Sequence, residues 1–263
     1  MARRRSRKNN KLALIPMVVL IIVSLIYTGI TNNDPEYEEL QVQETVSEAP
    51  QPSEFEPEPE ALPDEEEFVF SLDDIPEYDG EIEYILNNNV PLFTEEDLTT
   101  ESFETYSELD ELGRCRVAYA CVGEDIMPTE ERGSISHVKP TGWVQNQYEF
   151  VNGKSLYNRC HLIAHQLTGE DANWMNLITG TRTMNEAMIP YENMVADYVK
   201  ETGEHVLYRV TPIFNGDELV ARGVQMEALS VEDNGESVCF HVYLYNVEPG
   251  VVIDYATGEN WEE

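Results

Sequence analysis

The chain has 263 residues, with 51 Asp and Glu against 16 Lys and Arg, for a formal net charge of −35. That length leaves room for one compact catalytic domain of about 180 residues once the N-terminal third, which does not read as foldable, is set aside. The acidity argues against long-range steering of a nucleic acid, so any grip on a polyanion has to come from local positive groups.

Residues 1–11 carry Arg3, Arg4, Arg5, Arg7, Lys8 and Lys11 with no acid, and residues 12–30 form an uncharged apolar run of bilayer-spanning length. Positive charge on the N-terminal side predicts a single-pass signal anchor, with the N-terminus in the cytoplasm and everything after residue 31 outside. The alternative is a cleaved signal peptide, for which Ser24-Leu25-Ile26 and Thr28-Gly29-Ile30 are poor cleavage sites. Both readings place the rest of the chain outside the cell. Residues 31–83 are crowded with Glu, Asp and Pro, as in Asp64-Glu65-Glu66-Glu67, and contain no Lys or Arg. Such a segment buries too little apolar surface to offset its ordering entropy, which predicts a disordered, self-repelling stalk. The ligand spacing and turn glycine of an EF-hand are absent from it.

Residues 84–263 read as an α+β domain with antiparallel strands. Gly113 to Gly123 is a buried-strand pattern, Arg132-Gly133-Ser134 a turn, and Trp143 to Val151 a second strand leading through Asn152-Gly153 into Tyr157 to Ile163. One helix is predicted from Tyr191 to about Glu201, with Pro190 in its first turn and Gly203 just past its end. Val206 to Phe214, Leu219 to Leu229, Val238 to Val247 and Val251 to Tyr255 then continue a meander. Cys115, Cys121, Cys160 and Cys239 permit disulfides in an exported domain. Cys115 and Cys121, six residues apart on one strand, lie too far from each other to bridge directly. A zinc site made from these thiols and His137 lacks the close Cys pairs of structural zinc modules.

The chemistry concentrates in Asn158-Arg159-Cys160-His161, followed by Asn176 and then Asn185. A histidine can take a proton from water near neutral pH, and an asparagine carbonyl is a neutral oxygen ligand suited to a hydrated magnesium ion. His161 is therefore the predicted general base and the downstream asparagines, Asn176 and Asn185, are candidate metal ligands, with magnesium the expected metal and manganese the alternative.

These residues carry a resemblance. The stretch from about residue 85 onward is similar to the DNA/RNA non-specific endonucleases of the ββα-metal (His-Me finger) superfamily, and most of all to secreted or surface-anchored nucleases of Gram-positive bacteria of the streptococcal type. Their hallmark is an Asp-Arg-Gly-His run followed by an asparagine. Here Asn158 stands in place of the aspartate and Cys160 in place of the glycine. The phrases Leu207-Tyr208-Arg209-Val210-Thr211, Gly223-Val224-Gln225-Met226-Glu227-Ala228 and Val252-Ile253-Asp254-Tyr255-Ala256-Thr257-Gly258-Glu259 extend the likeness over the whole globular part. The resemblance implies a ββα-metal core in an antiparallel or mixed sheet. It also implies that Asn185 is the metal ligand, that Glu192 holds metal-bound water and that Asn176 orients either that water or the phosphate.

Arg159 would hold a phosphate oxygen, since a guanidinium fork matches phosphate geometry, and Arg182 would add local positive charge. Each role has a structural alternative: capping for Asn176 and Asn185, an ion pair for Arg159, the helix dipole for Glu192. His165 follows His161 by four residues, but a zincin needs a glutamate where Leu162 stands. The expected function is a membrane-anchored extracellular endonuclease, monomeric, cutting DNA, RNA or both without sequence preference. The alternatives are a catalytically impaired surface-binding module of nuclease-like fold and a secreted nuclease toxin with an immunity partner.

Overall fold

A computed structural model describes residues 72–263. The apolar run 12–30 and the acidic segment before residue 72 lie outside the described residues. Among the described residues no helix is long and apolar enough to cross a membrane.

In chain order the elements are β1 (Glu83–Ile85), β2 (Phe103–Tyr106), β3 (Ala118–Val122), β4 (Tyr157–His161), α1 (His165–Thr168), β5 (Leu177–Thr181), α2 (Arg182–Thr202), β6 (Val206–Ile213), β7 (Gly223–Ser230), β8 (Cys239–Tyr245), β9 (Val251–Ile253) and β10 (Asn260–Glu262). Six of the strands form one antiparallel sheet in the order β1-β8-β7-β6-β3-β2. The two-residue period of a strand divides its side chains cleanly between two faces. On one face Ala118, Ala120, Tyr208, Val210, Met226, Ala228, Phe240 and Val242 make a dry layer with Met184, Met188, Val195 and Val199 of α2.

The opposite face is polar and aromatic. Arg209 pairs with Glu227 at 2.7 Å, and its guanidinium lies over Phe93 and Tyr119. Nδ1 of His241 donates to the Val90 carbonyl and Glu227 accepts from the Leu92 N–H. The chain around residues 90–93 therefore covers this face and satisfies its buried polar groups. Further toward the N-terminus, Leu72, Ile75 and Ile82 pack against the cluster of Leu86, Tyr243 and Tyr245, and the Tyr245 hydroxyl donates to the Pro76 carbonyl. Residues 72–83 are thus folded onto the sheet, and the stalk read from composition does not extend to residue 83. Its Asp and Glu side chains hide three apolar residues that have a place to go.

β4 and β5 pair apart from the main sheet, antiparallel and in the register His161↔Leu177 and Asn158↔Gly180. β5 runs straight into α2, so the chain forms a compact β-β-α unit. The helix starts at Arg182, nine residues before the expected start at Tyr191, and Pro190 lies inside it. Thr181 sets that start: its hydroxyl accepts the Met184 N–H at 3.1 Å. Pro190 occupies an exposed position, where its missing N–H leaves a solvent-side carbonyl that water can serve. At the other end Gly203, at φ 73, closes the helix as expected with its N–H on the Val199 carbonyl.

Two expected strands fall differently. Trp143 to Val151 makes only an isolated bridge between Gln147 and Ser155. Its polar side chains hold it in place instead, for the Gln145 amide brackets the backbone of Tyr157, while Asn146 and Tyr148 converge on Asn260. The segment from Val251 pairs with β10 rather than joining the main sheet. All four cysteines are free thiols.

Candidate active site

β4 ends at His161, and the loop that follows returns over it. The imidazole is 7 % exposed. Nε2 lies 2.8 Å from the Asp171 carbonyl and Nδ1 lies 3.1 Å from Nη2 of Arg132. A carbonyl only accepts and a guanidinium only donates, so these two partners fix the tautomer: the proton is on Nε2 and Nδ1 carries a lone pair. Burial lowers the His161 pKa to about 4, and the neighbouring Arg132 charge adds to the effect. The side chain is neutral, oriented and basic toward one direction.

That direction is a cleft of about 290 Å³ lined by Arg132, Arg159, His161, His165, Asn185 and Glu192, among others. Asn185 and Glu192 reach it from α2. They stand two helical turns apart, on one face. Glu192 has no hydrogen-bond or ion-pair partner among the described residues, and burial raises its pKa to about 7, against a smaller lowering by Arg132. Asn185 is held from behind: the Cys160 thiol, fully buried, donates to its Oδ1 at 3.1 Å. Burial pushes that thiol well above its ordinary range, which keeps it a neutral donor. Gly180 makes the room, because a Cβ there would come within 2.3 Å of the Cys160 sulfur. The cysteine that replaces the hallmark glycine thus packs beneath the predicted ligand.

The structure brings together His161, Arg159, Asn185 and Glu192, as the sequence predicts, and separates Asn176 from them. Asn176 is wholly buried; its Oδ1 accepts the Ile163 N–H and its Nδ2 donates to the Ile163 carbonyl. It pins the base of the loop between β4 and β5 and does not line the cleft. Arg159 lines the cleft, but its Nε and Nη2 donate to the Val138 and Ser136 carbonyls, and its plane stacks over Trp143 at 4.3 Å. Most of its fork is spent on the 136–143 loop. The hydrogen-bond partners of the imidazole are the Asp171 carbonyl and Arg132, and Asn158 is not among them.

Arg132 is the residue that sequence reading missed. It lies in an irregular segment, brought over His161 because the Gly133 N–H donates to the Asp171 carboxylate at 2.8 Å. A Cβ at Gly133 would stand 2.4 Å from that oxygen, so a side chain there would push the Asp171 carboxylate aside. The turn expected at Arg132-Gly133-Ser134 falls instead at Ser136-His137, and the use of the glycine was not legible, since Asp171 is distant in sequence.

A sequence model of the DNA/RNA non-specific endonuclease family matches residues 94–232. The chain belongs to that family. Its structure is similar to that of NucA from Streptococcus agalactiae solved with a magnesium ion bound, with TM-score 0.62 and 26 % identity over 69 % of this chain and 88 % of that one. The metal-free form of NucA matches at TM-score 0.60 and 28 % identity, over 69 % of this chain and 87 % of NucA. The Sda1 nuclease with a bound zinc ion matches at 0.55 and 29 %, over 61 % of this chain and 81 % of Sda1. The resemblance read from the Asn158 to His161 run and the C-terminal phrases is borne out. Within this endonuclease domain α2 presents the Asn185 amide and the Glu192 carboxylate to the cleft, and no group of three or more His, Cys, Asp or Glu side chains converges among the described residues. A recessed carboxylate two turns from an amide oxygen is a donor set that a hydrated divalent cation can use.

Proposed function

We propose that this domain is a metal-dependent endonuclease that hydrolyses internal phosphodiester bonds of DNA or RNA without reading sequence. The observation that carries this is the His161 tautomer: a neutral imidazole, its Nε2–H tied to the Asp171 carbonyl, turns the Nδ1 lone pair into the cleft that Asn185 and Glu192 line. A water that replaces Arg132 as the partner of Nδ1 gives its proton to that nitrogen as it attacks phosphorus. Arg132, once displaced, stays beside the cleft as a fixed positive charge for the phosphate oxygens. Magnesium held by Asn185 and Glu192 would neutralise charge on the phosphate and ease departure of the leaving oxygen. The Nε2–H stays on the Asp171 carbonyl in both protonation states of the ring, the leaving oxygen takes a proton from water in the cleft, and the proton on Nδ1 returns to solvent after the step.

We read the apolar run 12–30 as an anchor and the acidic segment after it as a linker, which would tether the domain outside the membrane by its N-terminus. The groups this chemistry uses all come from one chain, so we read the domain as acting as a monomer.

The test is cleavage of supercoiled plasmid and of a structured RNA with magnesium, with manganese and with EDTA. Activity with either metal, loss in EDTA, and a drop of about 10²- to 10⁴-fold in His161→Ala with an unchanged circular dichroism spectrum are expected. Asn185→Ala should raise the metal concentration needed for half-maximal rate. Cleavage that persists in EDTA, or in His161→Ala at the original rate, overturns the reading.

A further inference from the structure

Beside the cleft lies a second recess of about 380 Å³ that shares Arg132, Arg159 and Asn185 with it and adds Trp143, Asn158 and Arg182. Its lining contains three arginines and no carboxylate, in a chain that carries 51 acidic residues. Two side-chain donors in its wall, Nε of Arg182 and Nδ2 of Asn158, are buried and have no hydrogen-bond partner. Native interiors seldom leave such donors unpaired, and a site that does so is waiting for an acceptor.

We propose that this recess binds the phosphodiester group adjoining the one that is cleaved, so that the enzyme holds two successive phosphates of one strand. This rests on the nuclease reading above. A phosphodiester presents only acceptors and a negative charge, the complement of two vacant N–H donors beside guanidinium groups. The backbone of α2 adds nothing to the pull, because its first N–H groups are already taken by the Leu156 carbonyl, the Glu248 carboxylate and the Thr181 hydroxyl. The side chain of Arg182 is therefore the working part. Gly153, at φ +70, backs it closely, with the position of an added Cβ 3.5 Å from Nη2. Cation attraction confined to a carboxylate-free recess lets an acidic protein bind a polyanion without a basic surface.

The experiment measures binding of the full chain, in detergent, to a fluorescent single-stranded DNA in EDTA across a salt series. It uses wild type, Arg182→Gln and Arg182→Lys, each checked by thermal melting. A contact to one phosphate predicts that Arg182→Gln weakens binding about tenfold and lowers the slope of log affinity against log salt by about 0.7, one single-strand phosphate. Arg182→Lys should recover the slope but only part of the affinity, since it restores charge without the fork.

In a second arm, single neutral methylphosphonate linkages are walked along the strand. One linkage next to the cleaved bond should weaken wild-type binding and leave Arg182→Gln unaffected. An unchanged salt slope in Arg182→Gln, or the same methylphosphonate losses in both proteins, overturns the subsite while plasmid cleavage by wild type keeps the nuclease reading intact. A loss seen only with 5′-phosphorylated strands assigns the recess to a terminal phosphate and also overturns it. Absence of both binding and cleavage in wild type sinks the two readings together.

Discussion

At the residue scale His161 shows how one side chain is made into a base by its partners. Its identity was legible from the run Asn158-Arg159-Cys160-His161, but its orientation was not, because the group that orients it is a main-chain carbonyl ten residues on, at Asp171. Main-chain acceptors leave no mark in a residue pattern. Arg132 was invisible for a similar reason: it reaches Nδ1 only through the Gly133 to Asp171 contact.

The same burial has a consequence for stability. His161 is depressed to about 4 and buried His241 is lowered in the same direction, so both are neutral in the folded protein. Between the unfolded value near 6.5 and about 4 the unfolded chain binds the extra proton, so stability rises with pH across this window and is lost as pH falls through it. The His161 share is on the order of 3 kcal/mol at most. Urea unfolding from pH 4 to 6.5 should show this slope, shallower in His161→Gln. Equal slopes in the two proteins would mean the imidazole is not buried as a neutral ring.

At the scale of elements the helix that carries Asn185 and Glu192 was the least well read from sequence. A proline preceding a good helical stretch normally marks a start, and Pro190 obeys the local rule while the fold overrides it. The apolar faces of Met184 and Met188 belong to the same helix and close the core against the sheet, which decides the matter by packing. By contrast, β6, β7 and β8 were legible because their alternation has one greasy face and one polar face, and β4 because the Asn152-Gly153 turn precedes it.

Thr181 is where the two halves of the site are joined. Buried at the end of β5, its hydroxyl caps α2 through Met184 and donates to the Val247 carbonyl at 2.8 Å, while its N–H donates to Asn246. Thr181→Val keeps the shape and removes both hydroxyl bonds. It should cost about 1–3 kcal/mol in chemical denaturation, the sum of a lost cap and a buried unpaired carbonyl. It should also raise the metal requirement for cleavage, because Asn185 sits in the helix's first turn. A loss below about 0.5 kcal/mol would show that α2 is held by its core contacts alone.

On the scale of the whole molecule, charge and fold are divided along the chain. Composition correctly described a strongly acidic protein, and it located no recess without carboxylates, since which acids face the cleft is decided by the pairing of β4 with β5 and by the placing of α2. Composition also drew the boundary of the folded part too late. Leu72, Ile75 and Ile82 are spaced among acids and read as stalk, yet they cover Tyr243 and Tyr245 on β8, and β1 completes the edge of the main sheet. Glu83 of that segment touches α2, accepting from the Tyr191 hydroxyl beside Glu192, whereas Leu72, Ile75 and Pro76 meet Tyr243 and Tyr245 of the sheet and their neighbours, so residues 72–81 should serve stability and not chemistry. A chain beginning at residue 82 loses Leu72, Ile75 and the Pro76 acceptor of the Tyr245 hydroxyl. Relative to a chain beginning at residue 72, it should be less stable by about 2–4 kcal/mol, from two part-buried aliphatic side chains and one hydrogen bond. Cleavage per folded molecule should be equal in the two. Equal denaturation midpoints would show that the segment only rests on the sheet, and a fall in activity at full folding would mean that the covering strand edge reaches the site.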